Sequence, residues 1–306
     1  MTPPLSPHDR RTRTLLFVSF AIIYVVWGST YLAIRVAVET LPPFLLAGGR
    51  FFLAGTVLLV WFRLRGAAMP TRSEWGHAAI VGVLLLTIGN GLVVWAEQSV
   101  PSGLAALLVA LTPVWFAVLE WLRPAGTRPT WQTVVGIVVG FGGVVLLVSG
   151  RNTVQPGGAV NYRELLTLGL AGVSWAAGSL WSRYHPHAKS PWMTAAAQMI
   201  SGGAALMVLS CLAGEPRHFH ASQVSGGSWL AFFYLVVFGS WICFSAYIYL
   251  LKASTPSRIA TYAYVNPVIA VLLGWLVLGE SLSRQSLWAA AIILAGVVIT
   301  TLPKRG

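Results

Sequence analysis

The feature that most constrains this chain is a succession of apolar segments, each close to the length that crosses a bilayer. A helix rises 1.5 Å per residue, so about 20 mostly apolar residues span the hydrocarbon layer. Ten such segments run near 15–35, 43–63, 76–96, 101–121 and 131–149, then near 163–182, 192–212, 229–251, 256–278 and 285–302. Only 28 of the 306 residues are Lys, Arg, Asp or Glu, or 9%, against about 25% in a soluble domain. That is too little charge to clothe a water-exposed surface. It excludes an ordinary cytosolic enzyme, a disordered chain and a disulfide-rich secreted domain. The expected class is an all-α integral membrane protein of ten transmembrane helices, with loops too short for a separate extramembrane domain.

The first segment follows Arg10, Arg11 and Arg13, as a signal peptide would. Its apolar stretch continues to Ile34, which is too long for a signal-peptide core, so a retained first helix is expected. The basic residues then set the orientation. With a cytoplasmic N-terminus, the inner side holds Arg10, Arg11, Arg13, Arg63, Arg65, Arg72, Arg123, Arg128, Arg183, Lys189, Lys252, Arg258, Lys304 and Arg305. The outer side holds Arg35, Arg151, Arg163, Arg217 and Arg284, and Arg50 lies within a span. A 14-to-5 bias predicts that both termini are cytoplasmic. The net charge of +12 is spread in ones to threes, so nucleic acid is not an expected partner. Cys211 and Cys243 sit in apolar runs without CxxC spacing, which suggests neither a zinc site nor a disulfide.

The two halves repeat. Trp27 with Leu32 and Arg35 lines up with Trp175, Leu180 and Arg183 at a shift of 148, which also carries Pro43 onto Pro191, Arg50 onto Gln198 and Gly55 onto Gly203. Pro101-Ser102 matches Pro256-Ser257, Pro113-Val114 matches Pro267-Val268, and Trp121-Leu122 matches Trp275-Leu276, at shifts up to 155. The expected units are 14–150 and 161–303. Five spans per unit is an odd number, so the second copy sits upside down relative to the first. Inverted repeats are the signature of secondary transporters, with a site at the repeat interface.

Trp27-Gly28-Ser29-Thr30-Tyr31, Pro43 with Arg50, Pro101-Ser102-Gly103 leading to Pro113, and Tyr264-Val265-Asn266-Pro267 through Gly279-Glu280 resemble the EamA-type drug/metabolite transporter (DMT) superfamily. The likeness covers about residues 15–302. It implies a ten-helix inner-membrane carrier of two inverted five-helix EamA repeats. Their first, third and fourth helices frame a central cavity, and many members export amino acids, related metabolites or toxic compounds. The chain departs from the pattern at Ala125-Gly126, where the second half has Gly279-Glu280, and at Ala176 and Gln198, where the first half has Gly28 and Arg50.

Candidate pathway residues follow from helical spacing. Trp27, Thr30, Tyr31 and Ile34 share one face at i, i+3, i+4 and i+7, and Trp175, Gly178, Ser179 and Ser182 repeat it. That face is either a cavity wall or a packing surface. On the third helix Asn90, Val94 and Glu97 form a stripe with Trp95 nearby; Ser240, Cys243 and Tyr247 form the corresponding stripe in the second repeat. A mid-span Asn faces helices or water rather than lipid. Pro113 and Pro267 free the carbonyls of Val109 and Ala263 and are candidate hinges, and Tyr262 and Asn266 add donors and acceptors. Arg50 is the clearest intramembrane charge, with Glu97 or Glu39 as expected partners in a structural or gating ion pair. Glu120 beside Arg123 reads as an interfacial pair. The pairs His185, His187 and His218, His220 fall on opposite sides and are expected in solvated loops, not in a metal site. Gly136, Gly140 and Gly143 suit close packing of the fifth helix against the alanines and Gly296 of the tenth.

The expected function is export of small metabolites, such as amino acids and related amphipathic compounds, or of drugs, by alternating access. Uptake or exchange on the same fold remains an alternative. An intramembrane enzyme lacks support, because no GxSxG, HExxH or paired aspartates occur in the spans. No cofactor is expected. The expected partners are a small-molecule substrate and the lipid bilayer, and a monomer is compatible with the sequence.

Overall fold

The computed structural model describes residues 7–124, 126, 128–149, 162–254, 259, 261–280 and 283–301. Ala125, Arg151, Pro256, Ser257, Arg258, Lys304, Arg305 and the repeat limits at 150, 161 and 303 lie outside the described residues. The described residues form helices and turns, with no strand among them. The longer helices are α1 (Pro7–Ala37), α2 (Pro43–Leu64), α3 (Arg72–Ala96), α4 (Ser102–Leu122), α5 (Trp131–Ser149), α6 (Tyr162–Tyr184), α7 (Pro191–Leu212), α8 (Gly226–Leu251), α9 (Tyr262–Leu278) and α10 (Arg284–Thr301). Seven are long and apolar enough to cross a membrane: the Thr14–Ala37 part of α1, and α2, α3, α4, α6, α7 and α8. The apolar stretches of α5, α9 and α10 are shorter, at Trp131–Leu146, Val265–Leu278 and Leu287–Ile299.

In hydrocarbon a helix satisfies every backbone group except those at its ends. The chain supplies partners for several of these. Helix α3 starts with a capping box, in which Glu74 N–H donates to Thr71 Oγ1 (3.3 Å) and Thr71 N–H donates to Glu74 Oε2 (2.7 Å). Two other helices borrow a carboxylate from far along the chain. Glu215 accepts from the N–H groups of Phe44 (3.1 Å) and Leu45 (2.7 Å) at the start of α2. Glu280, which is buried, accepts from Ser102 N–H and Ser102 Oγ (both 2.9 Å) and from Gly103 N–H (3.3 Å) at the start of α4. At the other end of α3, Arg35 donates to the carbonyls of Glu97 (2.6 Å) and Gln98 (2.7 Å).

Packing is symmetric under exchange of the first five helices with the second five. Helix α2 packs on its counterpart α7, and α5 on α10. Likewise α1 packs on α8 and α9, while α6 packs on α3 and α4. Two glycines show why the self-pairs close so tightly. A Cβ on Gly55 would stand 2.9 Å from Ile200 N, and one on Gly143 would stand 2.8 Å from Ile293 N. Small residues let backbones approach to this degree. Outward faces carry Phe17, Val25, Trp61, Leu166, Leu230 and Trp275, all exposed, as lipid contact requires.

Two departures from regular helix also mirror each other. A π-helical segment occupies Val83–Asn90 within α3 and another occupies Leu235–Phe244 within α8. Such segments widen the helix and re-aim the side chains at their ends. The two prolines behave differently. Helix α4 is interrupted at Ala110 and Leu111, just before Pro113, whereas α9 runs through Pro267 unbroken. The carbonyl of Val109, freed by Pro113, accepts the Thr112 hydroxyl at 2.6 Å. The expected pair of equivalent hinges is therefore one break and one continuous helix.

Candidate functional site

The helical break, the first π segment and the aromatic faces of α1 and α6 converge on one cavity of about 70 Å³. Its lining draws on α1 (Trp27, Thr30, Tyr31, Ile34), α3 (Gly89, Asn90, Val93), α4 (Val109), α6 (Ala171, Trp175) and α9 (Tyr262, Asn266). The first, third and fourth helices of the first half thus meet the first and fourth of the second.

Four aromatic rings, Trp27, Tyr31, Trp175 and Tyr262, line the cavity. The Trp27 ring centroid lies 5.6 Å from Trp175, 5.1 Å from Tyr247 and 5.6 Å from Tyr262. The Trp175 and Tyr262 contacts are edge-to-face, the arrangement ring quadrupoles favour. Tyr247 is fully buried behind the wall and holds it: its hydroxyl pairs with Ser179 Oγ at 2.8 Å and accepts from Trp175 Nε1 at 3.3 Å. Trp27 Nε1 donates to the Gly239 carbonyl at 3.3 Å, within the second π segment. Asn266, with its amide oriented as its neighbours require, donates to the carbonyls of Ile23 and Tyr24 (both 3.0 Å) and ties α9 to α1.

The polar part of the lining is small. Tyr31 presents a hydroxyl that has no hydrogen-bond partner among the described residues. The Thr30 hydroxyl donates to the Trp27 carbonyl at 2.6 Å. Asn90 Oδ1 accepts from Arg50, which leaves the amide N–H₂ of Asn90 for the cavity. Arg50 itself is buried, with its guanidinium carbon 4.4 Å from the Phe51 ring centroid.

The candidates distribute as follows. Trp27, Tyr31, Asn90, Trp175, Tyr262 and Asn266 are at the cavity. Ser179 and Tyr247 stand behind it. Ser240 is buried off the lining, inside the second π segment, and its hydroxyl is unpartnered. Trp95 is 37% exposed on the outer face of α3, away from the cavity. The ion pair expected of Arg50 with Glu97 or Glu39 is not formed, because Arg50 turns to the Asn90 amide instead. Glu97 is fully buried and neither carboxylate oxygen has a hydrogen-bond partner. His185 is a further correction. Rather than lying in solvent, it stacks on Trp181 (4.0 Å, 7° between planes), with His77 4.9 Å away. His218 and His220 are exposed, and among the described residues no cluster of three His, Cys, Asp or Glu could hold a metal. Glu120 pairs with Arg123 at 2.8 Å and accepts from the Tyr184 hydroxyl at 3.1 Å. Sequence reasoning passed over Glu280 and Glu215 as structural groups. The signal each carried was an acid placed directly after a helix-ending glycine, Gly214 before Glu215 and Gly279 before Glu280.

The model of the EamA-like transporter family matches residues 15–149 and 163–302. An inner membrane transporter of Escherichia coli K12, the uncharacterized YedA, is 41% identical over 94% of this chain and 91% of its own length. The uncharacterized transporter YvbV of Bacillus subtilis is 26% identical over 94% and 92%. A solved crystal structure superposes with a TM-score of 0.66 at 22% identity, covering 94% of this chain and 97% of the other.

Proposed function

Because the chain belongs to the EamA-like transporter family and is a multi-pass membrane transporter, not an enzyme, we propose that it exports small amphipathic metabolites, amino acids or drugs by alternating access. In this reading ten helices cross the inner membrane as two oppositely oriented repeats, 14–150 and 161–303. Both termini are cytoplasmic, and its partners are a small-molecule solute and the lipid bilayer. The observation that carries the proposal is the cavity itself. It lies where the two sets of five helices meet. It is walled by Trp27, Trp175 and Tyr262, and the polar side chains that line it are Thr30, Tyr31, Asn90, Tyr262 and Asn266. Such a lining suits a solute with an apolar body and few polar groups. A cavity of about 70 Å³ is small beside the roughly 300–1,000 Å³ of ligand sites, so the aromatic wall separates during loading.

The test is flux of radiolabelled amino acids and amphipathic cations in proteoliposomes, with and without an imposed pH gradient. Saturable flux that Trp27→Ala reduces by about tenfold or more is expected, given the several contacts one buried indole makes. Absence of flux across the whole panel would overturn the proposal, and the sign of the gradient effect reports coupling.

A further inference from the structure

We propose that Gln198 and Ser245 form a second polar latch, the counterpart of the Arg50–Asn90 link, which closes when that link opens. This inference rests on the alternating-access reading above and adds the residues that hold each state.

The correspondence comes from the repeat. The shift of 148 that aligns the first two helices of each half carries Arg50 onto Gln198. The shift of 155 that aligns Pro101-Ser102 with Pro256-Ser257 carries Asn90 onto Ser245. The π segments end within one residue of this register, the first at Asn90 and the second at Phe244, immediately before Ser245. Ser245, rather than Ser240, therefore stands in the place of Asn90. The helices also meet in the same way: α2 packs on the stretch of α3 at Asn90, and α7 packs on the stretch of α8 that begins at Ser245.

The two pairs are in opposite conditions. Arg50 and Asn90 are joined. Gln198 and Ser245 are both fully buried, and Gln198 Nε2, Gln198 Oε1 and Ser245 Oγ all lack partners. Three orphaned polar atoms in an apolar interior are destabilising where they stand. A serine hydroxyl and a primary amide are complementary, as Oγ–H donates to Oε1. The adjoining faces differ in the same sense. Thr30 and Tyr31 line the cavity, while their counterparts Gly178 and Ser179 are packed shut, with Ser179 held by Tyr247. Each repeat thus holds one of two conformations of the same element. Exchange of the two conformations breaks Arg50–Asn90 and makes Gln198–Ser245. The first link is charge-assisted and the second neutral, so the state described here is the more strongly latched.

The experiment compares Gln198→Leu, Ser245→Ala and their combination with wild type in two assays: unfolding temperature in detergent and flux in proteoliposomes. Removing orphaned atoms raises the unfolding temperature. Losing the alternate latch slows flux by about tenfold, the effect expected of one buried hydrogen bond. The double variant is no slower than either single variant, because the two groups act as one unit. Wild-type flux in all three variants, with flux still lost in Trp27→Ala, would overturn the latch and leave transport intact. A lowered unfolding temperature would also overturn it, since the groups would then be bonded in the state described. A wild type that carries no solute removes the transport reading, and the latch with it.

Discussion

At the scale of single residues, Arg50 and Trp95 make a useful contrast. Arg50 is buried in α2 and bonded to Asn90 at the cavity wall. Arg50→Leu removes a charge-assisted bond of about 1.5–3 kcal/mol and leaves Asn90 half-satisfied, so flux should fall by about tenfold or more at unchanged expression. Trp95→Ala should leave flux within about twofold of wild type, because the side chain points away from the cavity. Both outcomes are read in the same proteoliposome assay. The aromatic face of α1 was legible because i, i+3, i+4, i+7 spacing is a property of the helix alone. Trp95 was misplaced because five residues from Asn90 is about 140° round the helix, and proximity in sequence stood in for direction. The partner of Arg50 was illegible for a different reason. Glu97 is the chemically obvious choice, but which groups meet depends on how α2 leans on α3, and nothing local encodes that.

At the scale of elements, the ends and interruptions of the helices carry the information. Glu280 satisfies the first N–H groups of α4. Glu280→Ala should destabilise the protein by about 1–3 kcal/mol, the range for a lost cap with buried donors left open. A lower unfolding temperature in detergent, partly restored in Glu280→Gln, is the expected result. The break at Pro113 was legible, since proline cannot donate and a freed carbonyl must find a partner. Its solution, the neighbouring Thr112 hydroxyl, sat one residue away in the sequence. The π segments were not legible. A π turn has no composition of its own and arises where packing forces an extra residue into a turn. Ser240 was paired with Asn90 because both are polar and mid-span, whereas the shift of 155 carries Asn90 onto Ser245.

At the scale of the whole molecule, apolar runs and the repeat made the all-helical, two-repeat architecture readable, because both are averages over many residues. Close packing of α2 on α7 was foreshadowed only by the matched glycines. Gly55→Leu should prevent it, since even a Cβ would meet Ile200 N at 2.9 Å; loss of a monodisperse peak on size exclusion is the expected readout. Orientation has a native reporter in Cys211, which is exposed near the end of α7. A membrane-impermeant maleimide should label it from outside intact cells, and labelling confined to inverted vesicles would reverse the topology. The borrowed carboxylates have a last consequence. Glu215 and Glu280 belong to the second half yet complete α2 and α4 of the first. No reciprocal loan is seen among the described residues. If the gene is cut between the halves, the fragments should therefore complement each other when co-expressed. The leading fragment alone should not assemble with a second copy of itself, because neither copy brings the acids that its helices lack.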